Sequence, residues 1–283
     1  MGRPRRTRWT RTGRALLVAL VLLALVLVVI AGVQRRLMYF PDRADPGPVT
    51  AVVPAGRDIA LTTADGLELG AWFLPPAAEG PDTGYAVLLA PGNGGHRAGR
   101  LGLAQELTDR GLAVLLLDYR GYGGNPGTPS REGIAHDADA AVAALGEAGY
   151  RSDRLVYLGE SLGTGVVAEL AQRHTPAAVV LRSPYPSFAD VAGHHYPWLP
   201  VRLLLRDNFD VVGPLSRTEV PVTVVSGSAD TVVPPELSRR VASEVRQLAE
   251  VVVLEGVGHN DPEMFGPPVA DVVARAVASA QDG

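Results

Sequence analysis

The chain has 283 residues, of which 47% are hydrophobic and 20% are charged, as expected for a globular protein of one or two domains. Its net charge is −4, and six of its arginines lie within the first 14 residues, so the rest of the chain is distinctly acidic. This distribution argues against a nucleic-acid-binding body. The absence of cysteine excludes disulfides, thiolate metal sites and a cysteine nucleophile.

The first predicted element is a helix over residues 15–33, a stretch of 19 residues without charge. That length is close to what a helix needs to cross the hydrocarbon core of a bilayer. A cleaved signal peptide usually has a shorter apolar region and a clear small-x-small cleavage site, and a buried core helix is usually shorter, so both alternatives are disfavoured. The arginines of residues 1–14 predict a cytoplasmic N-terminus. We expect a single-pass protein of the cell membrane with its C-terminal body on the extracytoplasmic side.

Residues 34–56 are rich in proline and glycine and are interpreted as a linker. A hairpin is predicted next, because residues 57–61 and 67–73 flank the turn sequence Ala64-Asp65-Gly66. From there on, short apolar strands alternate with helices. The predicted strands cover residues 85–90, 113–117, 154–158, 178–182, 222–226 and 251–254. The predicted helices cover residues 100–110, 134–145, 161–173, 235–248 and 268–281.

This alternation predicts an α/β domain over residues 57–283, with a mostly parallel sheet that helices cover on both faces. The hairpin is expected to add an antiparallel edge to the sheet. The rhythm breaks between residues 182 and 222, in a stretch rich in aromatic residues and proline. We interpret residues 183–215 as a small helical cap inserted over the sheet, a candidate lid or substrate wall.

A candidate nucleophile stands where the strand at 154–158 leads through Gly159-Glu160-Ser161-Leu162-Gly163 into a helix. This strand–turn–helix context is the one that a G-x-S-x-G nucleophile elbow requires. The glycines let the strand and the helix pack closely around a strained turn, and Ser161 projects at the helix N-terminus, where amides favour developing negative charge. The alternative is an idle serine in a glycine-capped turn.

A serine hydroxyl needs a base, and the base needs an orienting acid. Asp230 follows the strand at 222–226 and His259 follows the strand at 251–254, so both are expected at the same sheet edge as Ser161. Their chain order, serine then aspartate then histidine, matches the order known for this kind of elbow. The ordinary alternatives are a turn or N-cap aspartate and a surface-loop histidine. The rival residues, which lie before the serine, at a helix end or in the insertion, are His96, His136, His174, His194, His195, Asp190, Asp207 and Asp210.

Acyl transfer also needs donors for an oxyanion. The backbone amide of Leu162, the residue after the nucleophile, is expected to be one of them. The other is expected from the glycine-rich loop after the strand at 85–90, with Asn93 as first choice and Gly94 as second. The alternative for this loop is a plain turn between a strand and a helix.

These motifs resemble the α/β-hydrolase superfamily, and more narrowly its membrane-anchored serine hydrolases of the prolyl-oligopeptidase-like group, which includes protein depalmitoylases. The resemblance runs from residue 38 to the C-terminus, behind the apolar span, and rests on PGNGG, DYRGYGGNPGTPSREGI, GESLGTG, HHYPWLPV, SGSADTVVP and GVGHND. It implies an α/β-hydrolase fold in which residues 118–123 form a structural loop beside the site. Pro91 stands where relatives commonly carry histidine, and a backbone oxyanion donor leaves the chemistry possible.

The sequence therefore predicts a membrane-anchored serine hydrolase that cleaves a carboxylic ester or thioester of a small-molecule or acyl substrate through an acyl-enzyme. A serine peptidase or amidase of the same fold is one alternative, and a catalytically silent binding protein is another. No metal-ligand spacing or dinucleotide fingerprint occurs, so we expect no metal or cofactor, and no nucleic-acid partner. The oligomeric state is left open. The cap aromatics are interpreted equally as apolar pocket walls or as packing residues; they are Tyr185, Phe188, Tyr196, Trp198 and Phe209.

Overall fold

The computed structural model describes residues 11–282, and these begin with a long apolar helix. Helix α1 covers Arg11–Met38. Its first 20 residues have a mean hydropathy of 2.9 and are long and apolar enough to cross a membrane, as a signal sequence also can be. Leu16, Val21 and Val28 on this helix are exposed, so α1 does not pack as a core helix of the domain.

The remaining elements follow the predicted alternation of strands and helices. The strands are β1 (Phe40–Pro41), β2 (Arg57–Thr62), β3 (Glu68–Leu74), β4 (Ala86–Ala90), β5 (Gly94–Gly95), β6 (Ala113–Leu116), β7 (Leu155–Glu160), β8 (Ala178–Arg182), β9 (Val222–Gly227) and β10 (Leu248–Leu254). The helices are α2 (Leu101–Asp109), α3 (Arg131–Glu147), α4 (Leu162–Arg173), α5 (Phe188–His195), α6 (Val201–Leu204), α7 (Val212–Leu215), α8 (Pro235–Glu244) and α9 (Pro267–Asp282).

Eight of the strands form one sheet in the order β10-β9-β8-β7-β4-β6-β3-β2. Neighbours from β10 to β6 are parallel, whereas β3 is antiparallel to both β6 and β2. The predicted mostly parallel α/β sheet with an antiparallel hairpin edge is therefore confirmed. The predicted small helical insertion is confirmed as well, because α5, α6 and α7 lie between β8 and β9.

Two apolar layers enclose the sheet, which explains why its central strands are continuously apolar. Along β4, Leu88 packs in the layer that contains side chains of α3, α4 and α8. Its neighbour Leu89 points to the other face and packs with side chains of α2 and α9. Because the central strands are parallel, their carboxyl ends lie on one edge of the sheet, and the loops that follow them meet there.

The observed boundary between α8 and β10 differs from its prediction. The helix predicted to reach residue 248 ends at Glu244, since Val245 adopts extended backbone angles (φ −71°, ψ 147°). Strand β10 begins at Leu248, which pairs with Val222, three residues earlier than predicted. Strand β10 lies at the sheet edge and alternates exposed with partly buried residues, so its apolar signal is weaker than that of the central strands.

The segment at residues 34–56, expected to be a linker, packs against the domain. Met38, Tyr39 and Val49 are buried. Strand β1 pairs in parallel with β5, which joins this segment to the loop after β4. The C-terminal end of α1 is consequently held on the domain beside that loop.

Candidate active site

Ser161 lies at a sharp turn between β7 and α4, with a positive φ of 48° and ψ of −112°. Positive φ is unfavourable for a residue with a side chain and is a form of stored backbone strain. The two glycines around it are required sterically. A Cβ on Gly163 would lie 2.1 Å from the carbonyl oxygen of Ala90, and one on Gly159 would lie 2.7 Å from that of Gly163. The local sequence thus forms the strained elbow that its G-x-S-x-G spacing predicts.

Asp230 and His259 are brought into direct contact, with 2.7 Å between His259 Nδ1 and Asp230 Oδ2. The carboxylate also accepts hydrogen bonds from the Ser183 hydroxyl (2.9 Å) and from the amides of Val232 (2.9 Å) and Val233 (2.8 Å). Burial raises the pKa of Asp230, but the hydrogen bond and charge of His259, with the other donors, outweigh it and hold the pKa below its ordinary value. An ionised Asp230 fixes the imidazole through Nδ1 and leaves Nε2 available for proton transfer.

Ser161 lies at the same sheet edge as this pair. Its amide donates to the carbonyl of Arg182 at 2.9 Å, and the next residue, Ser183, is the one that bonds Asp230. Within residues 11–282 the Ser161 hydroxyl forms no hydrogen bond, so its bond to His259 stays a prediction. Catalytic hydrogen bonds are often long in free enzymes and tighten when substrate binds.

One expected oxyanion donor follows the serine in the chain, and the other is in a neighbouring loop. Leu162 is the first residue of α4, so its amide is one of the N-terminal groups without a partner inside the helix. Asn93 is in the loop after β4, and a Cβ on its neighbour Gly92 would lie 3.6 Å from the Cβ of Ser161. Gly94, the second choice, pairs with Phe40 in the short parallel ladder of β5 and β1.

The Asn93 loop is held from two directions. The Asn93 side chain donates to the carbonyl of Met38 at 3.0 Å. The backbone carbonyl of Asn93 accepts from the Phe40 amide at 2.8 Å. That carbonyl also accepts from the hydroxyl of Tyr122 at 2.9 Å, and the Tyr119 hydroxyl bonds the Pro91 carbonyl at the same distance. The DYRGYG stretch therefore buttresses the loop, which fits the structural role that the resemblance implied.

A buried ion network, which the sequence reasoning missed, links the loops of the site. Glu160, the residue before the serine, is fully buried and lies 3.0 Å from Arg100 and 3.4 Å from Arg182. Arg100 in turn bonds the carbonyl of Gly94, and Arg182 bonds the carbonyl of His259 at 3.1 Å. Burial alone would raise the pKa of Glu160, but the two guanidinium groups lower it below its usual range.

One feature of the sequence and one of the structure mark these missed residues. Glu160 and Arg182 are the charged ends of two apolar strands, β7 and β8, and they pair with each other in the sheet. Ser183 follows immediately, fully buried and with a positive φ of 50°. A buried, strained serine directly after an apolar strand is unusual and marks it as a residue with a specific partner.

Most of the rival residues have partners elsewhere. Asp207 bonds Arg35 and Tyr39, and Asp190 bonds Ser187 and Arg202. His96 faces Asp42, His174 faces Asp139, His194 faces Glu236, and His195 bonds the carbonyl of Val232. Within residues 11–282, no group of three or more histidine, aspartate or glutamate side chains could hold a metal ion.

The strand order, the elbow and the loops at the carboxyl edge define an α/β-hydrolase fold. A family model for that fold matches residues 85–220. The chain is 45% identical over 266 residues to an uncharacterised protein of Mycobacterium tuberculosis, an alignment that covers 91% of this chain and 94% of the relative. It is 30% identical over 238 residues to the α/β-hydrolase domain-containing protein WAV2 of Arabidopsis thaliana, covering 74% of this chain and 76% of that protein. The chain belongs to the α/β-hydrolase family.

Solved structures give the same fold. An esterase of Pyrococcus furiosus superposes with a TM-score of 0.67 at 20% sequence identity, covering 86% of this chain and 98% of that one. At this identity the likeness concerns the fold alone.

Proposed function

We propose that this protein is a membrane-anchored serine hydrolase that cleaves a carboxylic ester or thioester. The observation that carries the proposal is the strained Ser161 beside a His259 that Asp230 holds at 2.7 Å. The fold is shared with an esterase, and the ester or thioester substrate is proposed by that analogy. The protein would consist of an N-terminal arm (1–14), an anchor (15–33), a connecting segment (34–56) and a hydrolase domain (57–283).

In the proposed reaction, the Ser161 hydroxyl oxygen bonds the acyl carbonyl carbon while His259 Nε2 takes the hydroxyl proton. The amides of Asn93 and Leu162 donate hydrogen bonds to the oxyanion of the tetrahedral intermediate. The imidazolium then gives its proton to the leaving alcohol or thiol, and the acyl group stays on Ser161. Water, deprotonated by His259, releases the acid and restores the serine. Asp230 holds the imidazole and stabilises its charged form throughout.

The anchoring part of the proposal rests on the length and apolarity of α1. The excess of arginine ahead of the helix supports a cytoplasmic N-terminus with the hydrolase domain on the opposite side of the cell membrane. Protease treatment of intact cells, followed by detection of N- and C-terminal tags, distinguishes this topology from its inverse. Mass determination of the membrane-bound protein distinguishes an uncleaved anchor from a cleaved signal peptide.

The central test is labelling of the full chain by a fluorophosphonate probe, which reacts with activated serines. The wild type and Ser152→Ala, a control on an exposed turn before β7, should label equally. Ser161→Ala should not label and should hydrolyse no p-nitrophenyl ester, while its thermal unfolding stays unchanged. Persistent labelling of Ser161→Ala would falsify the assignment of the nucleophile.

One observation favours a second candidate, a hydrolase-fold binding protein without catalysis: the Ser161 hydroxyl bonds no group within residues 11–282. The two candidates differ in a measurable way. A silent protein would hydrolyse no p-nitrophenyl ester of any chain length and would remain unlabelled by the probe, although correctly folded.

A further inference from the structure

Three apolar side chains of the cap are exposed, and we call them the cap rim: Tyr196, Trp198 and Leu203. Trp198 is 74% exposed and Leu203 is 86% exposed, while the rings of Tyr196 and Trp198 pack edge to face at 6.5 Å. Single exposed apolar residues are ordinary on protein surfaces, but a tryptophan–tyrosine pair beside a long apolar helix is a combination typical of membrane interfaces.

The cap contacts α1 at the depth where the apolar span ends. A groove of about 200 Å³ separates them, lined by Ile30 and Leu37 of α1 and by Tyr196, Leu199 and Val201 of the cap. Ile30 is three residues before the end of the 15–33 span, so it lies about 5 Å inside the span at the ordinary helical rise. If α1 crosses a bilayer, cap residues that face Ile30 must lie at the level of the membrane surface.

The cap is fixed to α1 at this position. The Gln34 side chain donates to the carbonyl of Leu204 at 3.0 Å and accepts from the amide of Arg206 at 2.7 Å. Arg35 forms a two-pronged ion pair with Asp207 at 2.8 and 3.0 Å. Such bidentate pairs restrict orientation as well as distance. The cap rim therefore keeps its height relative to the end of the apolar span.

The charges around the cap rim suit the headgroup region of a bilayer. Arg36 on α1 and Arg206 on the cap are exposed, and neither forms an ion pair within residues 11–282. Arginine side chains near a membrane surface are attracted to anionic lipid headgroups. The aromatic pair supplies the amphipathic rings that prefer the same depth.

We propose that the cap rim is a second membrane contact, which inserts Trp198 and Leu203 into the interface of the bilayer that α1 spans. This inference rests on the proposed anchoring by α1, but not on the proposed catalysis. The groove between α1 and the cap would then open toward the lipid, beside the loop that carries Asn93.

Tryptophan fluorescence tests this contact in the full chain reconstituted into phosphatidylcholine vesicles containing phosphatidylglycerol. The sequence has three tryptophans, Trp9, Trp72 and Trp198. Trp9→Phe removes the one in the N-terminal arm, and Trp72 is 1% exposed inside the domain and serves as an unquenched reference. Lipids brominated near the glycerol end of the acyl chain should quench Trp198 strongly, and lipids brominated near the methyl end should quench it weakly.

The matched control is the double variant Trp9→Phe/Trp198→Phe, in which the lipid-quenched component should disappear. The proposal is overturned if Trp198 is quenched by aqueous iodide but not by brominated lipid. Failure of the protein to float with the vesicles would overturn both the anchoring and the contact, whereas flotation without lipid quenching would overturn the contact alone. Because the measurement uses no substrate, it separates failure of the membrane contact from failure of the proposed hydrolase activity.

Discussion

The hydroxyl of Ser183 and the imidazole of His259 bond the same oxygen of Asp230, at 2.9 and 2.7 Å. Ser183 is thus a positioning residue for the acid of the proposed triad. A hydrogen bond to a charged group contributes about 1.5–3 kcal/mol, so we expect Ser183→Ala to lower kcat/KM roughly tenfold to hundredfold. Ester hydrolysis measures the effect. Ser243→Ala is the control and should keep full activity, since the Ser243 hydroxyl bonds the Arg240 carbonyl within α8.

Asp230→Asn should lower kcat by about 10³–10⁴-fold, because an amide favours the wrong imidazole tautomer and cannot stabilise an imidazolium. Steady-state kinetics on a p-nitrophenyl ester, with unfolding followed in parallel, measures the change. Asp153→Asn, at an exposed position before β7, provides the control. A loss of less than tenfold in the Asp230 variant would remove Asp230 from the proposed mechanism.

The pH dependence of activity should show a single ionisation on its acid side. Burial raises the pKa of Asp230, but its hydrogen bonds and the charge of His259 hold it below the ordinary value of about 3.9. The carboxylate therefore stays charged above about pH 5, so Asp230 adds no second ionisation to the acid side of the profile. A plot of log kcat/KM against pH should approach a slope of one. A limiting slope of two would mean that Asp230 also gains a proton in this pH range.

Gly163→Ala should destabilise the protein, because the new methyl group would meet the carbonyls of Ala90 and Pro91. Overpacking of this kind costs about 1–3 kcal/mol, and backbone atoms cannot yield easily. Gly146→Ala is the control, since nothing lies within 4 Å of its added Cβ and it sits in α3. That control should raise stability by about 0.5–1 kcal/mol. Thermal unfolding should therefore shift Tm in opposite directions for the two variants, and equal shifts would contradict the close approach at Gly163.

Glu160→Gln should destabilise the domain by about 3–5 kcal/mol, because it leaves Arg100 and Arg182 without their buried counter-charge. Glu169→Gln is a matched control. Its carboxylate also lies between two arginines, Arg131 and Arg173, but near the surface, where a pair contributes about 0–1 kcal/mol. Urea unfolding at neutral pH measures both. An equal loss in the free energy of unfolding for the two variants would show that burial of the network does not add to its contribution to stability.

The stability difference between wild type and Glu160→Gln should also depend on pH. Since the folded-state pKa of Glu160 lies below its unfolded value of about 4.3, its stabilising effect is complete above that pH and is lost as the pH falls through the folded pKa. The stability difference between wild type and Glu160→Gln should accordingly be largest near pH 7 and should shrink below about pH 4. A difference that grows on acidification would contradict the direction of the pKa shift.

The sequence allowed prediction of the sheet class and the positions of Ser161, Asp230 and His259, because each follows an apolar strand and parallel strands end on one edge. The Glu160–Arg182 pair escaped prediction because it depends on the register between β7 and β8, which apolar strands do not encode locally. The start of β10 was missed because an edge strand with one exposed face lacks a continuous apolar run. The packing of Met38 and Tyr39 was missed because the proline and glycine residues that follow them predict a linker. Their burial depends on contacts with residues distant in the sequence, such as Asn93.

Hydrogen bonds of Gln34, Arg35 and Met38 hold the end of α1 against the cap and the Asn93 loop. The orientation of the domain relative to the helix is therefore fixed. Where that helix crosses a bilayer, the mouth of the site keeps one height and one orientation above the lipid. A substrate anchored in the same membrane is then selected partly by the distance of its scissile bond from the bilayer. The site can reach the scissile bond only when the part of the substrate between the bilayer and that bond has the matching length.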